Sequence, residues 1–429
     1  MNKKKVLIIT YYWPPAGGPG VQRWLKFTKY LPEFNIEPIV FIPENPSYPI
    51  VDESLKSEVS ADLNLIRTNI WEPYQIAELL NPKSKAYKAG HFEKSANQSF
   101  LTKLSVFIRG NFFIPDARVF WVKPSVKFLS NYLHQNKIDT LITTGPPHSL
   151  HLIGLKLKEN FPELKWLADF RDPWTQISYH SELKLTKSSQ KKHKKLEEKV
   201  MKSADLIIAT SFTDAENYKK IGANKVEVVT NGFETSDFDL TKKNQNSSKF
   251  KLTYSGGLEV ARNPLVLWKI IDELQEEHSS FKEDLELEFY GNLSEDVKNS
   301  LKENHLEQFL NEHGYVSHKQ SIEGILNSNL LLITNFPDEK SKGIIPGKLF
   351  EYMATENRIL AIGPDAGDVK KLLEETQTGE YFTYEEFNEI KSYILEVYEQ
   401  WKTGAQRHPN LNYHKYSRKA LTERLAQLI

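Results

Sequence analysis

The chain contains no cysteine. That absence excludes disulfides, Cys-ligated zinc, iron–sulfur clusters and thiol nucleophiles. It carries no net charge either: 56 basic residues balance 56 acidic ones, which argues against a nucleic-acid binder that works by neutralising phosphates. No segment approaches the roughly 20 consecutive apolar residues of a membrane-spanning helix. The basic start Met1-Asn-Lys-Lys-Lys5 leads into an apolar run that soon meets Tyr11-Tyr-Trp-Pro-Pro15. At about six residues the run is too short for the core of a secretion signal, and the expectation is a soluble, cytoplasmic protein. Walker A, His-Glu-x-x-His and Gly-x-Ser-x-Gly patterns are all missing, so P-loop, zincin and serine-hydrolase chemistry are not expected.

What is present is material for two cores. A chain of 429 residues is too long for one ordinary domain, and two of roughly 200 residues are the natural division. Apolar runs of strand length alternate with helix-length segments almost throughout. Candidate strands lie at 6–11, 38–42, 63–67, 140–144, 165–169, 205–210 and 226–229, then at 251–255, 285–290, 312–316, 329–334, 358–362 and 380–382. Most are continuous runs, as in parallel strands covered on both faces. Strand–helix–strand units in series predict α/β, doubly wound Rossmann-like sheets.

Residues 237–250 are polar, rich in Asn, Ser and Lys, and aperiodic, so they read as a linker. The organisation expected is therefore a first domain over 1–236, the linker 237–250, a second domain over 251–404, and a terminal amphipathic segment over 405–429 packing back on the first. That last segment follows a break at His408-Pro409. Two stretches interrupt the alternation. Residues 80–101 carry Lys83, Lys85, Lys88 and Lys94 and read as a loop. Residues 184–202 contain Lys191-Lys-His-Lys-Lys195, which reads as a solvated helix face.

In open α/β sheets, ligands bind beyond the carboxyl ends of the strands, so the loops there are the candidate sites. Gly17, Gly18 and Gly20 follow the first strand. They let a backbone approach a ligand closely, and the helix N-terminus behind them suits an anion. Arg23, one turn into that helix, adds a cation. A dinucleotide fingerprint is not met, because Gly18-x-Gly20-x-x is followed by Arg23 rather than a third small residue. His148 begins a helix after Thr143-Thr-Gly-Pro-Pro147, where the positive dipole end favours a neutral imidazole. Asp169-Phe-Arg-Asp172 places Asp169, Arg171 and Asp172 at another strand end, costly to bury unless paired or used. Arg171 could serve either carboxylate. Ile114-Pro-Asp-Ala-Arg-Val-Phe-Trp121 is a weaker companion, with Phe120 and Trp121 expected in the core. Asp237-Phe-Asp239 matches a metal-binding Asp-x-Asp only within the linker, and no metal is assigned.

The second half carries the densest signal. Gly343-Ile-Ile-Pro-Gly-Lys-Leu-Phe-Glu-Tyr-Met-Ala354 reads as a loop running into a helix, with Lys348 and Glu351 on one face of the first turn. Free N–H groups, a dipole end and a lysine favour phosphate, and a carboxylate suits sugar hydroxyls. Together they suit a nucleoside diphosphate. Arg262, before a helix that opens with proline, is placed for bidentate phosphate contact.

These motifs, with Tyr11-Tyr-x-Pro-Pro-x-Gly-Gly18, Asn231-Gly-Phe-Glu234, Tyr254-Ser-Gly-Gly257, Phe289-Tyr-Gly291 and His313-Gly-Tyr-Val316, give a chain that resembles the GT-B glycosyltransferases, in particular the retaining enzymes of family 4. The resemblance runs over nearly the whole chain. It implies two Rossmann-like domains facing across a cleft, with a nucleotide-sugar donor on the second and a glycan or lipid-linked acceptor on the first. No cofactor or metal is implied, nor any nucleic-acid partner. Glu351 would hold the donor ribose, Arg262 and Lys348 the diphosphate, and Tyr315 and Val316 would lie near the base. The 17–20 loop would face the donor phosphate or acceptor, with His148 beside the transferring sugar and Asp169 or Asp172 as alternative bases. The resemblance further implies bacterial surface polysaccharide synthesis and a peripheral contact with the inner membrane surface. Two departures stand out: Gly343 occupies the place of the family's first glutamate, and Gly257 that of its usual arginine. They keep two alternatives open, a nucleotide-sugar epimerase and a non-catalytic nucleotide- or glycan-binding subunit.

Overall fold

A computed structural model describes residues 3–73, 100–177, 183–243, 247–405 and 410–429. The expected loop at Lys83, Lys85, Lys88 and Lys94 and the break at His408-Pro409 lie outside them. The chain forms two compact units. One comprises Met1–Thr230 with Leu421–Ile429, the other Asn231–Ala420.

The first unit is built on seven strands: β1 (Lys4–Ile9), β2 (Ile36–Pro43), β3 (Asn64–Thr68), β4 (Thr140–Gly145), β5 (Lys165–Phe170), β6 (Leu206–Ala209) and β7 (Val226–Val228). All pair in parallel, in the order β3-β2-β1-β4-β5-β6-β7. The second unit repeats the plan with β8 (Phe250–Ser255), β9 (Leu285–Tyr290), β10 (Leu310–Gly314), β11 (Leu330–Thr334), β12 (Arg358–Ile362) and β13 (Gly379–Phe382). Its order is β10-β9-β8-β11-β12-β13, again parallel.

The central strands are the continuous apolar runs. Every residue of β4 and of β11 is buried, because helices cover both faces of a parallel sheet. Edge strand β10, Leu-Asn-Glu-His-Gly, is mostly exposed. It ends two residues earlier than its sequence suggests, since Gly314 turns the chain at a φ of 63°. Each sheet has one core. In the first unit Trp166, Phe170 and Trp121 lie in it; in the second Trp268, Phe289 and Tyr254 do. Phe120, expected beside Trp121 in the core, is instead 43% exposed and packs edge-on to Trp71.

In both sheets the strand order reverses at one place, between β1 and β4 and between β8 and β11. Loops diverge there on the carboxyl side, which is where such sheets bind ligands.

Candidate functional site

In the second unit the reversal point is lined by the loops after β8 and β11. The first turns at Gly256, whose φ is 100°, and continues through a short 3-10 turn at Val260–Arg262 to the helix Leu265–Glu277. The second ends at Pro346, where the helix Gly347–Ala354 begins with no side-chain cap. That helix carries Lys348 in its first turn, and Lys348 Nζ sits 3.7 Å from the centre of the Tyr254 ring. A Cβ added to Gly256 would lie 3.0 Å from the same Nζ, so glycine gives the lysine its place. Arg262 donates to the Gly257 carbonyl at 3.1 Å and lies 5.7 Å from the Phe336 ring centre. Its Nε is buried without a hydrogen-bond partner.

Two cations thus meet over one glycine pair, and neither has a carboxylate in ion-pair range among the described residues. Burial, and then repulsion from Arg262, draw the Lys348 ammonium down to about 7, with Glu351 opposing. An anion placed there would relieve both groups. Glu351, one turn along, does not pair with Lys348; its Oε1 meets His318 Nε2 at 3.2 Å. His318 opens the helix His318–Leu326, whose N-cap Ser317 forms a capping box with Gln320. Tyr352 OH accepts from the Ser255 amide at 2.8 Å, tying the helix to the end of β8.

On β10, His313 stacks on Tyr290 with ring centres 4.2 Å apart, and its Nε2 meets Glu288 Oε2 at 2.5 Å. Tyr315 then stands 92% exposed, with Val316 half-buried beside it. Asp239 is taken up by Thr241 and Lys242, and no group of three or more metal-ligating side chains occurs among the described residues.

The first unit treats its charges differently. Arg23 and Asp169 are both interior, 1% and 0% exposed, and pair at 2.8 Å. Arg23 also donates to the carbonyls of Thr230 and Val229, while Asp169 accepts from Trp24 Nε1 and Thr144 Oγ1 as well. The anion contact expected of Arg23 and the base expected of Asp169 are therefore committed to each other. Arg171 pairs with neither neighbouring aspartate; it donates to the Pro146 carbonyl and lies over the Tyr12 ring. It also presses on Gly20, where any Cβ would run into its guanidinium. Asp172 as a whole residue is exposed, though its carboxyl is crowded by neighbouring atoms. Loss of solvent around its carboxyl raises its pKa, against the pull of Arg171. Gly17 donates to the Ile50 carbonyl, and Gly18, at a φ of 101°, precedes the helix Pro19–Tyr30.

His148 stacks on Trp174 at an interplanar angle of 2°, with centres 5.1 Å apart, and on Phe170. The next helix, Ser149–Asn160, begins with Ser149 donating from N and Oγ to Asp116. His151 is fully buried against Phe170, with Nδ1 2.9 Å from Thr143 Oγ1. Burial, with Arg171 adding to it, holds its imidazole down to about 3, so it is neutral at ordinary pH.

Two groups near these candidates escape sequence reading, His318 on Glu351 and His193 with Glu197 behind Trp174, while Tyr254 beneath Lys348 and Asp116 next to His148 lie inside the quoted motifs without a role of their own. His193 and Glu197 offered a signal. The helix Lys187–Ser203 buries Ser189, His193, Glu197 and Met201, a period of four through the basic run, whose lysines at 191, 192, 194 and 195 are exposed.

No family model matches the chain, and no curated protein matches it in sequence. Solved structures do match its fold. A glycosyltransferase from Rickettsia africae aligns over 100% of this chain and 98% of its own, at 14% identity and a TM-score of 0.61. Sucrose-phosphate synthase from Thermosynechococcus elongatus aligns over 99% and 98%, at 13% identity and a TM-score of 0.59. The Anabaena protein HepE, solved in complex with UDP-glucose, aligns over 99% and 98%, at 12% identity and a TM-score of 0.58. Two parallel Rossmann-like sheets in this arrangement of strands are the GT-B fold.

Proposed function

We propose that this chain is a glycosyltransferase that moves a sugar from a nucleoside diphosphate sugar to a glycan or lipid-linked acceptor. The observation that carries the reading is the pair Arg262 and Lys348, held together over Gly256 and Gly257 at the head of an uncapped helix and lacking a carboxylate to balance them. Two like charges in a half-buried place cost free energy until an anion arrives, and a diphosphate supplies the opposite charge. Glu351, steadied by His318, supplies the acceptor a ribose hydroxyl needs.

The same cations suit departure of the diphosphate. As the bond from the sugar's anomeric carbon to oxygen breaks, the electron pair goes to the diphosphate. Arg262, Lys348 and the helix N-terminus stabilise that charge most when it has formed. The acceptor hydroxyl makes the new bond, and its proton passes to a diphosphate oxygen with retention, or to His148 or Asp172 with inversion. We favour retention, with no required metal, on the family 4 resemblance. Arg23 and Asp169 would then shape the first unit without touching substrate, while Gly17, Gly18, Gly20 and Arg171 would border the acceptor.

A role in bacterial surface polysaccharide synthesis at the cytoplasmic face of a membrane belongs to the same proposal. The helix Phe100–Phe112 exposes Leu104, Phe107, Ile108 and Phe112 at helical spacing, and Arg109 on it could meet anionic headgroups. Failure to float with anionic vesicles at low salt would remove that part. No helix among the described residues is long and apolar enough to cross a membrane.

Thermal stability against UDP, GDP, CMP, ADP and NAD tests the core of the proposal. A ligand at about 100 times its dissociation constant adds about 2.7 kcal/mol. Stabilisation by one nucleoside diphosphate, lost in Arg262→Ala and Glu351→Ala, supports the donor site. A response to none of them turns the reading towards a non-catalytic subunit.

A further inference from the structure

The helix Lys187–Ser203 spends two polar residues on its buried side. His193 and Glu197 are each 2% exposed, one turn apart, and both reach the segment that follows β5. The Trp174 indole N–H donates to His193 Nδ1 at 3.1 Å. Glu197 accepts from the Thr175 amide at 3.2 Å and from Thr175 Oγ1 at 2.5 Å. Leucine and methionine would fill those positions without the cost of desolvating an imidazole and a carboxyl group. What the polar pair adds is direction, since each bond fixes one group of the segment at one angle.

Trp174 is the ring on which His148 lies flat, and Phe170, the last residue of β5, is its other stacking partner. Core packing encloses the indole, and the bond from Nε1 to His193 adds a directional restraint on its edge. An indole N–H only donates, so Nδ1 of His193 must accept and its own proton rests on Nε2. We propose that His193 and Glu197 are positioning residues that set the plane of the His148 imidazole through Trp174 and Thr175. The inference rests on the reading of His148 as a group of the transfer site.

The test compares His193→Leu with His193→Asn in the full chain. Asparagine keeps an acceptor where Nδ1 stood, yet it is smaller and a poorer helix former than leucine, so a purely structural role ranks the two variants the other way. The reaction followed is release of UDP from UDP-glucose or GDP from GDP-mannose, whichever nucleotide stabilises the protein. A misplaced reacting group costs up to about 100-fold in rate. The expected outcome is a kcat lowered by up to about 100-fold in His193→Leu, with KM unchanged and kcat largely restored in His193→Asn. The indole N–H resonance of Trp174, identified by its loss in Trp174→Phe, should shift in His193→Leu and hold in His193→Asn. An unmoved resonance in His193→Leu overturns the clamp. So does full kcat in His193→Leu when His148→Ala is inactive. Full kcat in His148→Ala removes the catalytic reading instead, and the clamp's purpose with it.

Discussion

The two sheets share one winding, yet their reversal points hold charge in opposite ways. Between β1 and β4 the guanidinium of Arg23 is answered on the spot by Asp169, and the pair is enclosed with its hydrogen bonds supplied by Trp24, Thr144 and two carbonyls. Between β8 and β11, Arg262 and Lys348 have a carbonyl and an aromatic face but no carboxylate. The first arrangement is complete in the free protein and contributes to folding. The second leaves positive charge uncompensated, at some cost, and under the proposed function a nucleotide would complete it. The same fold therefore yields a structural ion pair in one place and the proposed anion site in another, and what distinguishes them is whether the opposite charge is built in.

That contrast can be broken from the first side. Asp169→Ala leaves Arg23 buried without its partner, a change worth about 3–5 kcal/mol. The melting temperature should fall on the order of 10 °C, and differential scanning calorimetry would read it. A fall of a degree or two would mean the pair is not structural. From the second side, Lys348→Met should leave melting unchanged or raise it, because a lysine whose pKa is depressed opposes folding while charged. Nucleotide affinity should fall by about 10- to 100-fold, matching about 1.5–3 kcal/mol for a charge-assisted bond. Isothermal titration calorimetry would measure both wild type and variant.

A smaller effect is the pH dependence of that affinity. Free Lys348 loses its proton near about 7, so nucleotide binding must restore it at higher pH. Affinity should fall as pH rises from about 7 to about 9, by at most about tenfold per unit for one linked proton. Lys348→Arg, charged throughout, should flatten the slope. The smallest effect returns to the first unit. His151 titrates near about 3 when folded and near about 6.5 when unfolded. The unfolded chain therefore binds the extra proton between these values, and the stability His151 lends is present above about 6.5 and lost as pH falls towards about 3. Acid unfolding of wild type and His151→Gln, followed by circular dichroism, should differ in slope over that window alone.

Much of the fold was legible because long apolar runs are fully buried strands. All thirteen expected strands form, each within two residues of its expected ends; β1 and β10 both lie two residues earlier than expected, and β10 ends where Gly314 turns the chain at an exposed edge. The second-unit site was legible for a local reason: Lys348 and Glu351 share a helix, and Arg262 sits in the loop that the strand pattern points to. The first-unit site was not. Arg23 and Asp169 stand 146 residues apart, and only the sheet order brings the end of β5 beside the first helix. A charged residue at a strand end reads alike whether it meets substrate or its own counter-ion. His193 was hidden differently, by four lysines around it whose charge outweighed the buried period beneath.

One surface residue has a practical use. Tyr315 stands almost wholly in solvent on the turn that Gly314 makes, where the family resemblance would put it near the donor's base. Because the chain offers no native thiol, Tyr315→Cys would accept a single fluorophore with no background labelling. The protein could then signal by emission the arrival of any nucleotide.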